Sequence, residues 1–536
     1  MFAAGEIVIA ALEIEIERSN GPRGPLRILL INPAYVSLTS RGVGHQIPFG
    51  LLCIGGPLID AGYEVALLDA ERHRLTPEQI EQRITTFQPD IVMTGHAGST
   101  PAHPACIKAL RAAKKVAPAV KTVYGGVYPT YHAKDILAEA DDVDIIVRGE
   151  GESVALDLAD CLSRGGELSR VQGITFRTLD GALHDNSPAP LIRKLDDWRV
   201  GWELIEDWDL YQCFGLGRAA IIQFSRGCPH QCSYCGQYQF WSKWRWRDPK
   251  AVAAEIAWLH RTHGVNFVDL ADENPTSSKR LWREFLEALV DENVLVRLFA
   301  TIRATDIVRD IDLLPLMKRA GMICVLMGIE TTDPVTLAAI RKGSTVREDQ
   351  QAVASLREHG ILSMLGHIVG FEEERMGDYV RAIRQVSLYD PDLLNAMYVT
   401  PHRWSDWTAG NAGRIVIQPD RAKWDYRNQL LSSRYLSSRA IFWMVKLMEL
   451  AVHARPRALR RVLFHRDPAL RAHLRWCFRF SFRVWRAEVA EFLRNPPNDQ
   501  STLTLAQWFG RKTTGEAACN GDAHTVTNLP QNRTAL

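Results

Sequence analysis

The chain has 536 residues and a mass of 60.4 kDa, too long for one hydrophobic core, and its length predicts about three domains. Apolar residues make up 46% and charged residues 24%, which excludes fibrous and disordered proteins for all but the chain ends. The net charge of +2 hides an asymmetry, because residues 421–495 contain 17 Lys and Arg against 5 Asp and Glu. We therefore expect a folded multidomain protein with a basic C-terminal region.

Targeting signals are missing from the sequence pattern. No apolar stretch reaches the roughly 18 residues of a membrane span, and acidic residues interrupt the N-terminal segment where a signal peptide would be apolar. We therefore expect a cytosolic protein whose ten cysteines are mostly reduced thiols. A tight group of cysteines in such a chain indicates metal or redox chemistry rather than disulfides.

The first predicted domain spans residues 26–165, after an extension at residues 1–25. Buried strands are predicted at residues 27–32, 64–68, 91–93, 122–124 and 143–147, and helices at 49–61, 76–87 and 104–116. Continuous apolar strands separated by helices predict an α/β fold with a parallel, doubly wound, Rossmann-like sheet. Such sheets bind ligands at the carboxyl ends of their strands.

A second alternation of strands and helices follows a predicted linker at residues 166–210. The linker includes a hairpin, because a short alternating run at 173–176 precedes the turn residues Asp180 and Gly181. Strands are then predicted near residues 220–224, 266–270, 296–301, 323–327, 364–369 and 393–399. Residues 211–417 are therefore interpreted as a (β/α) barrel or most of one. Residues 418–510 are expected to form a basic helical domain, and residues 511–536 a disordered tail.

The strongest motif is the C-x-x-x-C-x-x-C run of Cys228, Cys232 and Cys235, directly after the first barrel strand. Three thiolates on one loop suit three irons of a 4Fe-4S cluster and leave the fourth iron open for a substrate or cofactor. Loops that follow barrel strands form the active face of that fold. The alternative is a structural zinc site with His230 as a fourth ligand, although zinc usually takes two paired knuckles.

This cysteine run resembles the signature of the radical S-adenosylmethionine superfamily. The resemblance implies that the amino and carboxylate groups of S-adenosylmethionine chelate the open iron, and that electron transfer cleaves it to a 5′-deoxyadenosyl radical. It also implies further contacts with this cofactor: Tyr234 on adenine, Glu273 on the methionine amino group, Gly328 and Glu330 on the ribose, and the strand of Gly366, Ile368 and Gly370, which ends at Glu373, beside adenine. Each of these residues taken alone also fits a helix cap or a turn.

The N-terminal sheet resembles the cobalamin-binding class of the same superfamily. That class places the corrin over the strand ends and the nucleotide tail beside glycine-rich loops, where close backbone approach requires glycine. The implied cobalamin contacts are Gly95, Ser99, Thr100, Gly125 and Gly126. A nicotinamide cofactor is dismissed, because residues 32–35 carry no G-x-G-x-x-G.

Cobalt ligation stays open at this stage. The D-x-H-x-x-G motif that supplies a lower axial histidine elsewhere is absent after the first strand. The remaining histidines near the predicted strand ends are interpreted as polar loop residues and not as cobalt ligands: His45, His96, His103 and His132.

Longer segments resemble the anaerobic magnesium-protoporphyrin monomethyl ester oxidative cyclases of photosynthetic bacteria. They are residues 41–50, 225–237, 240–241, 244–250, 270–276, 341–344 and 398–404, and the similarity runs from about residue 27 to residue 509. The resemblance implies oxidative cyclisation of magnesium-protoporphyrin IX 13-monomethyl ester to 3,8-divinyl protochlorophyllide in bacteriochlorophyll biosynthesis, with the oxygen taken from water. It also implies a low-potential electron donor such as ferredoxin or flavodoxin.

Aromatic residues suit a porphyrin substrate. Five tryptophans are predicted at the barrel mouth, where a flat macrocycle needs apolar walls: Trp241, Trp244, Trp246, Trp404 and Trp407. Arg245, Arg247 or Arg403 would then pair with a free propionate. The alternative is that these aromatic residues pack the helical domain onto the barrel.

Other interpretations of the whole chain remain open. The runner-up enzyme is a cobalamin-dependent radical methyltransferase that acts on a tetrapyrrole or a lipid, and a different class is a non-catalytic sensor. The basic C-terminal region is interpreted first as a solvated arginine-rich face and second as a contact with anionic lipid. Nucleic-acid binding is not expected, because no recognised module appears.

Overall fold

The computed structural model describes residues 25–35, 46–178 and 180–511. The predicted N-terminal extension and C-terminal tail lie outside the described residues, except for their inner ends at residues 25 and 511, and His45 lies outside them as well. Within the described residues the chain forms two α/β sheets followed by helices. None of the helices described is long and apolar enough to cross a membrane.

The first sheet has seven strands in the order β2-β1-β3-β4-β5-β6-β7, and its first five are parallel. These five are β1 (Arg27–Asn32), β2 (Glu64–Asp69), β3 (Ile91–Thr94), β4 (Lys121–Tyr124) and β5 (Ile145–Val147). The helices between and after them are α1 (Phe49–Asp60), α2 (Ala70–His73), α3 (Pro77–Phe87), α4 (His103–Val116), α5 (Val127–Glu139) and α6 (Glu152–Ser163). Leu29 and Ile31 pack toward one helical layer, and Ile28 and Leu30 toward the other. Burial on both faces explains why β1 is continuously apolar.

A hairpin extends this sheet. Strands β6 (Ile174–Arg177) and β7 (Leu183–Asp185) pair with each other, and β6 also pairs with β5 in the antiparallel sense. Gly181 turns the chain at φ +85°. The hairpin expected within the linker is therefore part of the first sheet and does more than connect two domains.

The second sheet has six parallel strands in the order β8-β11-β12-β13-β14-β15. They are β8 (Ala219–Ile222), β11 (Phe267–Leu270), β12 (Arg297–Thr301), β13 (Met322–Glu330), β14 (Leu362–Val369) and β15 (Leu393–Tyr398). The intervening helices are α7 (Pro249–His263), α8 (Lys279–Asp291), α9 (Ala304–Arg309), α10 (Leu314–Arg319), α11 (Pro334–Ala339), α12 (Val346–Glu358) and α13 (Met376–Tyr389). A two-stranded ribbon, β9 (Ser225–Arg226) and β10 (Arg245–Trp246), lies at the carboxyl end of β8. The result is a partial TIM barrel.

The C-terminal helices cover the amino ends of the barrel strands and one side of the barrel. After the short α14 (Asp406–Gly410) they are α15 (Ser438–His453), α16 (Pro456–Phe464), α17 (Pro468–Arg494) and α18 (Leu505–Phe509). Leu470 and Leu474 of α17 pack with Phe267 and Phe299 at the amino ends of the barrel strands. The predicted order of a Rossmann-like domain, a partial TIM barrel and C-terminal helices is confirmed.

Candidate active site between the two sheets

The three cysteines lie on the loop between β9 and β10, at the carboxyl end of the barrel. Cys232 is buried, and Cys228 and Cys235 are half-buried. Gly227 begins the loop at φ +89°, and a Cβ atom there would lie 2.4 Å from the carbonyl oxygen of Lys243. The returning chain passes so close that only glycine fits. This close approach folds the loop over the strand ends.

Donor groups surround the sulfur atoms of this loop. Arg303 Nη1 lies 3.7 Å from Cys232 Sγ, and the backbone N–H of Gln237 donates to Cys235 Sγ at 3.4 Å. Burial raises the pKa of the Cys228 thiol to about 11. A thiol with such a pKa keeps its proton until a metal displaces it, and the nearby donors then stabilise the thiolate.

The number of cysteines on this loop matches the ligand set of an iron–sulfur cluster. Cys228, Cys232 and Cys235 lie on one loop at the carboxyl end of the barrel. In a 4Fe-4S cluster each thiolate binds its own iron, so three thiolates leave one iron open.

The acidic residues after β11 support the base of the cysteine loop. Asp272 accepts hydrogen bonds from the backbone N–H of Phe224 at 3.0 Å and from Ser225, so its carboxylate holds the turn after β8. Glu273 accepts from the backbone N–H of Gly227 at 3.0 Å, and burial raises its pKa. The structure thus places the Glu273 carboxylate directly beneath the loop that carries the cysteines. Its role on the methionine amino group stays a prediction.

The end of β13 carries a buried ion pair that sequence reasoning missed. Glu330 Oε1 lies 2.6 Å from Lys342 Nζ, and both side chains are only 7% exposed. Glu330 has φ +59°, and the register between β13 and β14 shifts at this point. A Cβ atom on Gly328 would lie 2.2 Å from Glu330 Oε1. Gly328 therefore makes room for the carboxylate, and Lys342 holds it.

Tyr234 closes this corner of the site. Burial and the adjacent Glu330 carboxylate together raise the pKa of the Tyr234 phenol well above its ordinary value. Tyr234, which lies between Cys232 and Cys235, is thus next to Glu330, the residue predicted beside the ribose. Lys342 belongs to the segment 341–344, which resembles the cyclases. That resemblance was the only sequence signal for Lys342.

We expect Lys342→Met to destabilise the protein by about 3–5 kcal/mol, because it leaves the buried Glu330 charge without a partner. Chemical denaturation measures the loss. The matched control is the double variant Glu330→Gln/Lys342→Met, which removes both charges and should recover most of the stability. A loss below about 1 kcal/mol in the single variant would mean that the pair is no stronger than a surface ion pair.

Strand β14 supplies the predicted adenine side of the site. A Cβ atom on Gly366 would lie 3.2 Å from Met397 Cε of β15, so the glycine leaves room for the Met397 side chain. Ile368 is buried, and Gly370 turns the chain at φ +87°. The carboxylate that returns to this turn belongs to Glu374, which accepts from the Gly370 N–H at 2.8 Å. Glu373, the end of the predicted motif, instead pairs with Arg434 at the surface.

The glycine loops of the first sheet lie at the carboxyl ends of β3 and β4. A Cβ atom on Gly95 would lie 2.7 Å from the carbonyl oxygen of Gly125, so the two loops touch through their backbones. Gly126 has φ +109° and open space where a side chain would stand. Ser99 has φ +57°, and its Oγ is buried without a hydrogen-bond partner, next to the buried Thr100. An open backbone cradle with an unpaired hydroxyl fits the nucleotide tail of cobalamin.

The histidines around these loops already have partners. His96 Nε2 lies 3.0 Å from Glu71 Oε2, and His96 Nδ1 accepts from the Gly98 N–H at 2.8 Å. His103 packs between Tyr124 and Tyr128, and burial lowers its pKa to about 3. His96 lies on a loop, as expected. The interpretation as a polar loop residue is wrong for His103, which begins α4, and for His132, which lies within α5, because both are buried in helices.

The two sheets meet with the cysteine loop and the glycine loops on facing edges. Tyr131 of α5 stacks on Trp404 at 4.4 Å between ring centroids, and the Trp404 indole N–H donates to the Gly236 carbonyl at 2.7 Å. Arg403 forms an ion pair with Asp135. The loop after the last barrel strand thus joins the helix after β4 to the residue that follows Cys235.

A second contact between the sheets is a buried ion cluster. Arg245 Nη1 lies 2.8 Å from Glu150 Oε2, and Arg226 Nη1 lies 3.1 Å from Glu150 Oε1. Within the barrel, Arg247 pairs with Glu255 of α7 at 2.6 Å. Sequence reasoning left Arg245, Arg247 and Arg403 free for a propionate, and that expectation is wrong for Arg245 and Arg247, whose guanidinium groups hold structural carboxylates. Arg403 is 42% exposed in its ion pair, so its contact with a propionate stays a prediction.

Two further residues at this junction were missed. His402 Nε2 lies 2.8 Å from the Tyr426 hydroxyl, and a Cβ atom on Gly236 would lie 2.7 Å from the His402 ring. Burial lowers the pKa of His402 to about 4, so the imidazole is neutral at pH 7. Tyr426 is 41% exposed. His402 lies in the segment 398–404 of the cyclase resemblance, but its partner lies 24 residues later in the chain.

Comparison with known proteins identifies both units. Residues 36–159 match the B12 binding domain family, and residues 222–386 match the radical SAM superfamily. A solved structure of the radical S-adenosylmethionine methyltransferase TsrM from Kitasatospora setae, with tryptophan substrate and a SAM analogue bound, has a TM-score of 0.64 at 16% identity and covers 87% of this chain and 99% of that chain. At that identity the likeness shows the fold alone. The cofactors of these two families are a 4Fe-4S cluster with S-adenosylmethionine and cobalamin.

Two curated relatives share a printed name. The anaerobic magnesium-protoporphyrin IX monomethyl ester cyclase of Synechocystis sp. is 45% identical over 486 residues, which is 90% of this chain and 97% of that protein. The cyclase of the same name from Rubrivivax gelatinosus is 36% identical over 71% of this chain and 69% of that protein. The chain therefore belongs to the anaerobic magnesium-protoporphyrin IX monomethyl ester cyclase family, within the cobalamin-binding radical SAM enzymes.

Proposed function

We propose that this chain catalyses the anaerobic oxidative cyclisation of magnesium-protoporphyrin IX 13-monomethyl ester to 3,8-divinyl protochlorophyllide. The substrate and one water molecule together give up six electrons and six protons, so the product has one more oxygen and four fewer hydrogens than the substrate. The observation that carries the choice of substrate is the 45% identity to the Synechocystis cyclase across almost the whole of both chains. The contacts of Trp404 with Tyr131 and with Gly236 support the chemistry, because they join the glycine-loop side of the first sheet to the cysteine loop.

The chain's own residues would position the reactants. Cys228, Cys232 and Cys235 would hold the cluster, which would supply the electron for the reductive cleavage of S-adenosylmethionine. Glu273, beneath the cysteine loop, would orient the methionine amino group. Glu330, fixed by Lys342, would orient the ribose. Gly366, Ile368 and Gly370 would form the wall beside adenine.

The cobalamin loops would complete the site from the opposite side. Gly95, Gly125 and Gly126 would let the nucleotide tail approach the backbone, and the Ser99 hydroxyl would find its missing partner there. Cobalamin would supply a second redox centre. The stacked pair of Tyr131 and Trp404 would form an apolar wall against the macrocycle.

The runner-up is a cobalamin-dependent radical methyltransferase. The fold it requires is the same, as the likeness to TsrM illustrates. The two reactions differ in the product: a methyltransferase adds one carbon, whereas cyclisation adds one oxygen and removes four hydrogens.

Anaerobic turnover of the reconstituted enzyme in water enriched in heavy oxygen should place one heavy oxygen atom in the product. The assay contains magnesium-protoporphyrin IX monomethyl ester, a reductant, S-adenosylmethionine and cobalamin, and mass spectrometry reads the pigment. The matched control is the same assay in ordinary water, which should give the unlabelled product. A product with an extra methyl group and no label would establish the methyltransferase instead.

We propose two partners beyond the pigment. A low-potential donor such as ferredoxin or flavodoxin would reach the cluster from the outer side of the cysteine loop, where Pro229 and Gln231 are exposed. A membrane surface would deliver the lipophilic pigment, with the basic C-terminal helices as the peripheral contact.

A further inference from the structure

Helix α17 carries a row of exposed arginines along one side. Arg475, Arg479, Arg483 and Arg486 follow one another at spacings of four, four and three residues, and all four are exposed. Residues at these spacings lie next to each other on a helix, where like charges destabilise it. We call these four residues the arginine stripe.

The stripe differs from the other cations of the C-terminal helices. Inside, Arg427 and Lys446 pair with Glu488 and Glu449 at 2.5–2.8 Å. On the stripe, Arg475 donates only to the backbone carbonyls of Val462 and Leu463. Arg479, Arg483 and Arg486 form no ion pair with any carboxylate in the described ranges. The stripe is therefore a concentration of uncompensated positive charge.

Large apolar side chains are exposed beside these arginines. On α17, Phe478 is 37% and Phe482 54% exposed, and at the end of α16 Leu463 is 49% and Phe464 72% exposed. The bonds from Arg475 to the α16 carbonyls place Leu463 and Phe464 next to the stripe. Solvated faces rarely concentrate phenylalanine in this way, and interfacial helices do.

A groove runs along the same face. It has a volume of about 500 Å³ and is lined by Leu216, Arg297, Arg475, Trp476 and Arg479, among others. The Trp476 indole lies on Gly215, where a Cβ atom would approach the ring to 2.5 Å. An apolar wall with a cationic rim matches the amphiphilic chemistry of a phospholipid.

The position of this face argues against an electron donor as its occupant. Helix α17 covers the amino ends of the barrel strands, through Leu470 and Leu474 against Phe267 and Phe299. The cysteine loop lies at the opposite, carboxyl end. Strand β13 alone has nine residues, which separates the two faces by roughly 25 Å. A protein docked at the Arg475 end of the stripe, next to Leu474, would be too far from the cluster for direct electron transfer.

We infer that the arginine stripe, together with Leu463, Phe464, Phe478 and Phe482, is a peripheral binding surface for a bilayer that contains anionic phospholipid. The arginines contact the phosphate groups, and the four apolar side chains enter the interface. Phosphates alone, as in a nucleic acid, would leave the exposed phenyl rings without a partner. The inference rests on the membrane contact proposed above and assigns it to these residues, and vesicle binding is measured separately from turnover.

Flotation of the full-length protein with vesicles tests the surface. The parent should bind vesicles of phosphatidylcholine with phosphatidylglycerol, bind pure phosphatidylcholine weakly, and lose binding as salt rises. Arg479→Glu/Arg483→Glu should weaken binding at least about 25-fold, at roughly fivefold for each charge removed near the surface. The matched control is Arg83→Glu/Lys108→Glu, which makes the same charge change at two exposed positions of the first domain and should bind like the parent.

A second variant keeps the charge and removes the apolar contact. Phe464→Ser/Phe482→Ser should weaken binding about tenfold or more, because two rings no longer enter the interface. Reductive cleavage of S-adenosylmethionine by every variant reports that the barrel is intact. The inference is overturned if the parent does not bind anionic vesicles, or if the stripe variant binds as the control does. It is also overturned if duplex DNA, and not vesicles, binds in a stripe-dependent way.

Discussion

Cys232→Ala should abolish both the iron–sulfur absorbance and the activity of the reconstituted protein. Cys232 is the buried member of the three cysteines, and its sulfur faces the Arg303 guanidinium at 3.7 Å. Alanine there leaves one iron without a protein ligand inside a closed pocket, where neither water nor another side chain replaces a thiolate well. Without the cluster no electron reaches S-adenosylmethionine, so its cleavage should fall to background.

The matched control is Cys477→Ala. Cys477 is also buried, but it lies on α17 at the opposite end of the barrel, next to His473. Its replacement removes one sulfur of similar burial and should keep both the absorbance and the cleavage. Iron and sulfide analysis after identical anaerobic reconstitution provides the measurement. Four irons and normal cleavage in the Cys232→Ala protein would show that the ligand assignment is wrong.

The sequence predicted those features whose signal is local. The cysteine loop depends on eight consecutive residues, and the strands of both sheets show as short apolar runs, so both were predictable. The hairpin was predictable from the turn at Asp180 and Gly181, but its pairing with β5 was not. That pairing joins residues about 30 positions apart, which leave no mark in either segment.

The errors concern charges that cross between the sheets. Arg403 and Asp135 are 268 residues apart, and Arg245 and Glu150 are 95 apart. From the local sequence, an arginine near a predicted substrate site is expected to be free for the substrate, because its partner in the other domain is not visible there. Because a buried charge needs a partner, the buried Arg245 and Glu150 hold the two sheets together, whereas the pair of Arg403 and Asp135 lies at the surface. The junction also contains the buried neutral side chains of Trp404 and His402.

The Glu330 corner illustrates a third limit. Its geometry depends on a left-handed backbone at Glu330 and on a register shift between β13 and β14. Neither the left-handed backbone nor the register shift can be predicted from the side-chain pattern, since only glycine and asparagine indicate a left-handed backbone. The resemblance pointed to Glu330 through its position after the strand, whereas the residue that fixes its carboxylate, Lys342, became visible only in the fold.

Gly126→Leu should remove cobalamin binding while leaving the cluster intact. Gly126 lies at the carboxyl end of β4 with φ +109°, and nothing stands within 4 Å of the place where a Cβ atom would be. A leucine would fill that opening, where the nucleotide tail is proposed to enter, and would add backbone strain of about 1–3 kcal/mol. The corrin spectrum that remains with the protein after anaerobic gel filtration measures binding, and iron analysis measures the cluster.

Backbone strain alone must be separated from the blocked opening, and the same sheet offers the control. Gly62 has φ +87° and equally open surroundings, but it precedes β2 at the amino edge of the sheet, away from the glycine loops. Gly62→Leu therefore bears a similar strain and should still retain cobalamin. If Gly126→Leu retains as much cobalamin as Gly62→Leu, the tail does not pass the β4 loop. If both lose it equally, the effect is strain, and the assignment of Gly125 and Gly126 to cobalamin fails.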